Sequence, residues 1–135
     1  MTTHVTTGAV DHLRLTVTDM HRAREFYTSL LGFQVAMELP PNVLLSNGSV
    51  ILAIGSAPDP NRAIIGDRFD ENRVGLDYLS FSVASRDDLE RAIQLFDERG
   101  VPHGDIEDPG PTFGLYLLQF RDPDNIQLEL TAPYR

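Results

Sequence analysis

A chain of 135 residues is the size of one compact domain, or of two small modules sharing a core. Its apolar share of 41% and charged share of 23% are those of an ordinary globular protein, and no apolar run approaches the roughly 20 residues of a membrane span. A net charge of −9 argues against a nucleic-acid partner, and the absence of cysteine removes disulfides, thiol nucleophiles and thiolate metal sites together.

Residues 1–8 are polar and Thr-rich, read as a flexible tail without the basic start and apolar stretch of a signal peptide, so a cytoplasmic protein is expected. Residues 9–17 alternate with period two, as a half-buried strand does: Leu13, Leu15 and Val17 face one way, His12, Arg14 and Thr16 the other. Asp19 is a good N-cap for a helix over 20–31, with Ala23, Phe26, Tyr27 and Leu30 as its apolar stripe and Gly32 just past its end. Strands are expected over 33–39, 43–45 and 50–55, with turns at Pro40-Pro41-Asn42 and Ser46-Asn47-Gly48.

Residues 58–75 break the pattern. They are polar, with Pro and Gly, and read as a linker, although Ile64, Ile65 and Phe69 are too apolar for a plain tether and suggest packing. The opening motif then returns: Asp11-His12-Leu13-Arg14-Leu15-Thr16-Val17 is matched by Asp77-Tyr78-Leu79-Ser80-Phe81-Ser82-Val83. Ser85 and Asp88 form an acidic variant of the capping box, opening a helix whose stripe is Leu89, Ala92, Ile93 and Phe96 and which Gly100 ends. Strands follow over 103–106, 114–120 and 126–130, the last two joined by the turn Arg121-Asp122-Pro123-Asp124-Asn125.

Each half is therefore strand, helix and three strands: a first βαβββ module over 9–57 and a second over 76–133, joined by the linker into one α+β domain. One helix per four strands covers one face of a sheet, so the other face must find a different cover. The economical arrangement is two curved sheets side by side as an open cup, lined by the face that bears His12 and Arg14.

Matching Ile54-Gly55-Ser56-Ala57-Pro58 to Glu129-Leu130-Thr131-Ala132-Pro133 makes Ile54 the counterpart of Glu129. Glu129 alternates with Leu128 and Leu130 and so belongs to the cup face, where a carboxylate is costly to bury unless paired or ligating. The four equivalent positions read His12, Ile54, Tyr78 and Glu129.

The paired modules, the Asp-His-Leu opening, the segment Gly75-Leu76-Asp77-Tyr78-Leu79-Ser80-Phe81-Ser82-Val83 and the ending Arg121-Asp122-Pro123-Asp124-Asn125-Ile126-Gln127-Leu128-Glu129-Leu130 resemble the vicinal oxygen chelate superfamily. This is the glyoxalase, bleomycin-resistance and extradiol-dioxygenase group. The resemblance implies a divalent metal at the cup floor, with His12 and Glu129 as ligands; Tyr78 stands where a second His is usual, leaving a degenerate site with Tyr78 as a further ligand at most. Ile54, where glyoxalase I carries a carboxylate, argues against that activity. Fe, Mn, Ni and Zn are not distinguished, and no metal at all is equally open. The resemblance also implies a homodimer.

Three readings of His12, Tyr78 and Glu129 stay open. They hold a metal, with Tyr78 as phenolate or as neighbour to bound water. They form a satisfied buried polar cluster. Or they catalyse without metal, His12 or Glu129 as base and Tyr78 as proton donor. Arg14 either anchors a substrate carboxylate or phosphate or pairs with Glu129. Ser80, beside Tyr78 on the same face, is a further substrate-binding candidate. Phe113 and Tyr116 either stack on a planar ligand or pack. His21 and His103 read as solvated. The resemblance thus implies a small-molecule-binding protein: a metal-assisted isomerase, lyase or dioxygenase, or alternatively a metal-free antibiotic-sequestering protein.

Overall fold

The computed structural model describes residues 3–134; Met1 and Thr2 of the expected tail lie outside them, as does Arg135. The chain divides into two compact units between Ile65 and Gly66, inside the stretch read as a linker.

The first unit is a mixed sheet with one helix. Strand β1 (His12–Thr16) is followed by α1 (Met20–Glu25), then β2 (Gln34–Leu39), β3 (Asn42–Ser46) and β4 (Ile51–Gly55), in the order β1-β4-β3-β2. β1 and β4 are parallel and the other pairs antiparallel. Asp19 caps α1, its carboxylate accepting from the Arg22 N–H at 3.0 Å; that bond holds its carboxyl below the usual range. The helix does not run on to residue 31 as one α-helix. It widens into a single π turn over Phe26–Leu30, closed by the Phe33 N–H on the Tyr27 carbonyl at 3.1 Å. Thr28 Oγ1 donates back to the Arg24 carbonyl, a local competitor of the helical ladder. The widened turn leaves the Tyr27 and Phe33 rings edge to face at 6.3 Å, and a 3.6-residue periodicity cannot reveal it. Tyr27, Phe33, Leu45, Leu52 and Ile54 are buried together with Leu15 and Val17. A fully buried side chain of this kind contributes about 1.5–3 kcal/mol.

The second unit repeats the plan with one strand fewer. β5 (Leu79–Ser82), α2 (Arg86–Arg99), β6 (Leu115–Arg121) and β7 (Gln127–Pro133) form a three-stranded sheet of order β5-β7-β6, with β5 and β7 parallel. The acidic capping box is in place, Asp88 accepting from the Ser85 N–H, and Gly100 closes α2 with φ 67°. Leu89 and Phe96 of α2 are buried, with Phe96 stacked on Phe120 at 4.6 Å. The two units share their hydrogen bonding in detail: Val17 N–H donates to Gly55 O and Val83 N–H to Thr131 O, each at 2.9 Å.

The expected strand over 103–106 is not a ladder. The segment follows the edge of β6 through Arg121 N–H on Pro102 O, Gly104 N–H on Gln119 O and Glu107 N–H on Leu117 O. One more residue on this side than on β6 makes it a bulge, with only isolated bridges at His103 and Glu107. His103 is correspondingly not a solvated loop residue: its ring packs beside Phe96 and its Nε2 reaches Asp97 at 2.6 Å.

Half of the presumed linker is bound to the second unit. Phe69 N–H donates to Asp124 O, Asn125 Nδ2 to Phe69 O, and Arg121 clamps Glu71 through two bonds of 2.9 and 2.8 Å. The hairpin turn beneath is built as its sequence suggests. Asp122 accepts from the Asp124 and Ile126 N–H groups, and Asn125 takes a left-handed φ of 66°. Among the described residues no helix is long and apolar enough to cross a membrane.

Candidate functional site

In the first unit the alternation of β1 sends Leu15 and Val17 into the core and leaves His12, Arg14 and Thr16 exposed on the other face. Asp11, just ahead of the strand, places its carboxylate 2.7 Å from His12 Nδ1. A carboxylate accepts, so Nδ1 carries the proton and Nε2 of the neutral ring presents its lone pair.

Arg14 is held from three sides. Its Nε donates to Asn42 Oδ1 at 3.0 Å, Nη1 to Thr16 Oγ1 at 2.9 Å and Nη2 to the Ser56 carbonyl at 2.8 Å. Asn42 and Thr16 both pair with Gly55, from either side across the sheet, so Arg14 reaches Asn42 by crossing over that glycine. A Cβ at Gly55 would overlap both the guanidinium and Asn42 Oδ1. Asn42 reads from sequence as a turn residue only. Neither it nor Ser56 carried a signal, because the contacts depend on strand order.

In the second unit β5 and β7 pair Ser80 with Glu129, and β6 adds Gln119 opposite Glu129. Ser80 Oγ lies 2.5 Å from Thr131 Oγ1, which donates to Glu129 Oε1 at 3.2 Å. Each hydroxyl has one proton, so the chain runs from Ser80 through Thr131 to the carboxylate. Glu129, 4% exposed, is thus a buried carboxylate with a hydroxyl donor.

Tyr78 does not complete that cluster. It stands before β5, 45% exposed, and its hydroxyl has no hydrogen-bond partner among the described residues. Where one of the three readings joined Tyr78 to Glu129 or His12 in a polar cluster, the hydrogen-bonded group of this unit is Ser80, Thr131 and Glu129. Tyr116 pairs with Ala132, one residue out of step with the Leu117–Thr131 pair, and so lies on the helix-facing side of its sheet. It is 7% exposed, stacked on Tyr134 at 4.6 Å, with the Arg86 guanidinium 4.8 Å over its ring. It shares no face with Ser80 and Glu129. Phe113 is exposed in the turn before β6.

The counterpart of Glu129 also changes. Arg14 and Ser80 hold the same place in the two copies, and Arg14 pairs with Ala53 where Ser80 pairs with Glu129. Ala53, not Ile54, is therefore the equivalent residue, and Ile54 is buried on the helix side. A slip of one residue reverses the face. Alanine donates nothing to a metal, so this position of the first unit offers no ligand.

Among the described residues no group of three His, Asp or Glu side chains is placed to hold a metal ion. The first unit offers the Asp11–His12 pair; Glu129 in the second accepts from the Thr131 hydroxyl.

Comparison with known proteins supplies the relatives. Residues 9–130 match the family model of the Glyoxalase/Bleomycin resistance protein/Dioxygenase superfamily. The protein YwkD of Bacillus subtilis (strain 168) is 30% identical over 129 residues, 90% of this chain and 94% of that protein. A glyoxylase/bleomycin resistance protein/dioxygenase domain from Frankia sp. EAN1pec is 28% identical with a TM-score of 0.73, over 96% of this chain and 95% of that one. The fosfomycin resistance protein FosX of Listeria monocytogenes shares the fold at 16% identity, TM-score 0.73, over 96% of both chains.

Proposed function

The chain belongs to the glyoxalase/bleomycin resistance protein/dioxygenase superfamily, and from that premise we propose that it binds a small organic molecule by hydrogen bonds and charge on the exposed face of β1, without a chelated metal. The observation that carries this reading is the braced guanidinium on the exposed face of β1, which can meet a ligand directly by hydrogen bonds and charge. The test is a ligand screen by thermal shift on protein dialysed against chelator, with each ligand recovered and analysed afterwards. A ligand that raises Tm without added metal and is returned unchanged supports the reading. Ligand binding that appears only when a divalent metal is restored overturns it.

The Asp11–His12 contact favours a second reading, an enzyme. A carboxylate that fixes the His12 tautomer and leaves Nε2 bare prepares that nitrogen as a general base or as a metal ligand. In this reading the ligand is consumed, turnover falls with His12→Ala, and elemental analysis of the purified protein decides between the two roles of the nitrogen.

The macromolecular partner we propose is a second copy of the chain. β2 is an edge strand, exposed along its whole length, and carries Val35, Met37 and Leu39. An uncovered apolar edge of this kind invites pairing. A cysteine-free acidic chain is suited to the cytoplasm.

A further inference from the structure

We propose that Arg14 anchors an oxyanion site, taking a carboxylate or phosphate group of the bound small molecule. The inference rests on the small-molecule reading above and adds the charge of the ligand.

Four arginines among the described residues face carboxylates, and Arg14 differs from these four. Arg24 faces Glu38, Arg86 faces Glu90 and Asp108, Arg91 faces Asp88, and Arg121 faces Glu71. Those charges are neutralised where they stand. The three partners of Arg14 are an amide oxygen, a hydroxyl and a backbone carbonyl, none of them charged. They fix the guanidinium without cancelling it. A guanidinium has five N–H groups. With three engaged, two are left, one on each terminal nitrogen, which is the number a bidentate oxyanion uses. The side chain is exposed, so an incoming group can reach it.

The brace also removes an entropic cost. A free arginine side chain loses rotamer entropy when it is ordered; here the ordering is done by the fold, before any ligand arrives. The bare Gly55 permits it, since any Cβ there would displace the guanidinium.

An internal control opposes the view that the guanidinium is only a structural pin. In the second copy of the module the places of Arg14 and Gly55 are held by Ser80 and Thr131. Those two residues close the same stretch of sheet with a pair of hydroxyls and no positive charge. The strand arrangement therefore forms without a guanidinium at this place, and the charge in the first copy needs another reason.

The test is an NMR titration of the 15N-labelled protein, following the Arg14 Nε resonance and the backbone amides of Thr16 and Ser56. The probes are sodium acetate, inorganic phosphate, sodium chloride at matched ionic strength, and uncharged acetamide. A saturating shift with acetate or phosphate, absent with chloride and acetamide, supports the site; the stronger of the two oxyanions names the group. Arg14→Lys, which keeps the charge but loses the fork, should weaken the response by about tenfold. The wild-type titration needs no variant, so a poorly folding Arg14→Lys leaves it decisive. A response no greater than that to chloride overturns the proposal. Neutral or cationic compounds that shift the same β1 resonances, with neither oxyanion doing so, also overturn it while leaving the small-molecule reading standing.

Discussion

The guanidinium of Arg14 lies in the space that a side chain on Gly55 would fill. One residue supplies the charge, and the other supplies the room for it.

Gly55→Ala is accordingly expected to separate stability from ligand capture. The added methyl meets the mobile end of Arg14 and the Asn42 amide, which can move aside, so the cost belongs to the range of about 1–3 kcal/mol for overpacking. Urea unfolding measures that loss. The Arg14 response to acetate and phosphate should disappear in the same variant, because the displaced guanidinium no longer rests on Asn42, Thr16 and Ser56.

His103 should make stability depend on pH near neutrality. Both ring nitrogens face acceptors, Asp97 Oδ1 and the Gly104 carbonyl, each at 2.6 Å. The Asp97 carboxylate first, and then the Gly104 carbonyl, raise its pKa above the ordinary 6.5. A raised pKa means that the contribution is fully present below about pH 6.5 and is lost as pH rises through the higher folded value. Urea midpoints between pH 5 and 9 should fall across that window in the wild type. His103→Gln should flatten the fall; an unchanged profile would show that the pair contributes nothing.

Arg121 and Glu71 should control whether residues 69–77 stay on the hairpin. The Arg121 guanidinium holds the Glu71 carboxyl down to about 2 from an ordinary 4.5. The pair is thus intact above pH 4.5 and is lost only as pH falls through about 2. Glu71→Gln or Arg121→Gln at neutral pH should speed hydrogen exchange at the Phe69 amide, which is bonded to the Asp124 carbonyl. Exchange as slow as in the wild type would assign the holding of this segment to the bonds of Phe69 with Asp124 and Asn125 and of Gln127 with Asp77.

Thr131→Val keeps the shape of the side chain and removes the donor to Glu129. Leaving a buried carboxylate oxygen without its partner costs about 1–3 kcal/mol. A urea midpoint shifted by less than that would mean that Glu129 finds another donor. Thr131→Ser, which retains the hydroxyl, is expected to lie much closer to the wild type.

Replacing Met37 and Leu39 together by Glu on the exposed β2 strand should shift the chain from dimer to monomer in sedimentation equilibrium. A wild type that is monomeric at every concentration would contradict the proposed second copy as partner.

The sequence by itself determined the plan of each unit. The alternation around His12 and Tyr78, the caps at Asp19 and Ser85 and the turn at Asp122 are local rules of backbone geometry and hydrogen bonding, and they place β1 and β5, the starts of α1 and α2 and the β6–β7 hairpin where the chain has them. They also put Glu129 and Ser80 on one face and Arg14 on the exposed side of its strand. Tertiary structure alone decided what those side chains touch. The π turn after Glu25 and the bulge along β6 each insert a local irregularity that a fixed period averages away. The exchange of Ile54 for Ala53 as the counterpart of Glu129 in the other copy follows from register, where one residue reverses a face. The bracing of Arg14 needs β3 to lie beyond β4, so that Asn42 comes to it across Gly55. Strand order is set by packing over the whole sheet, and no window of neighbouring residues contains it.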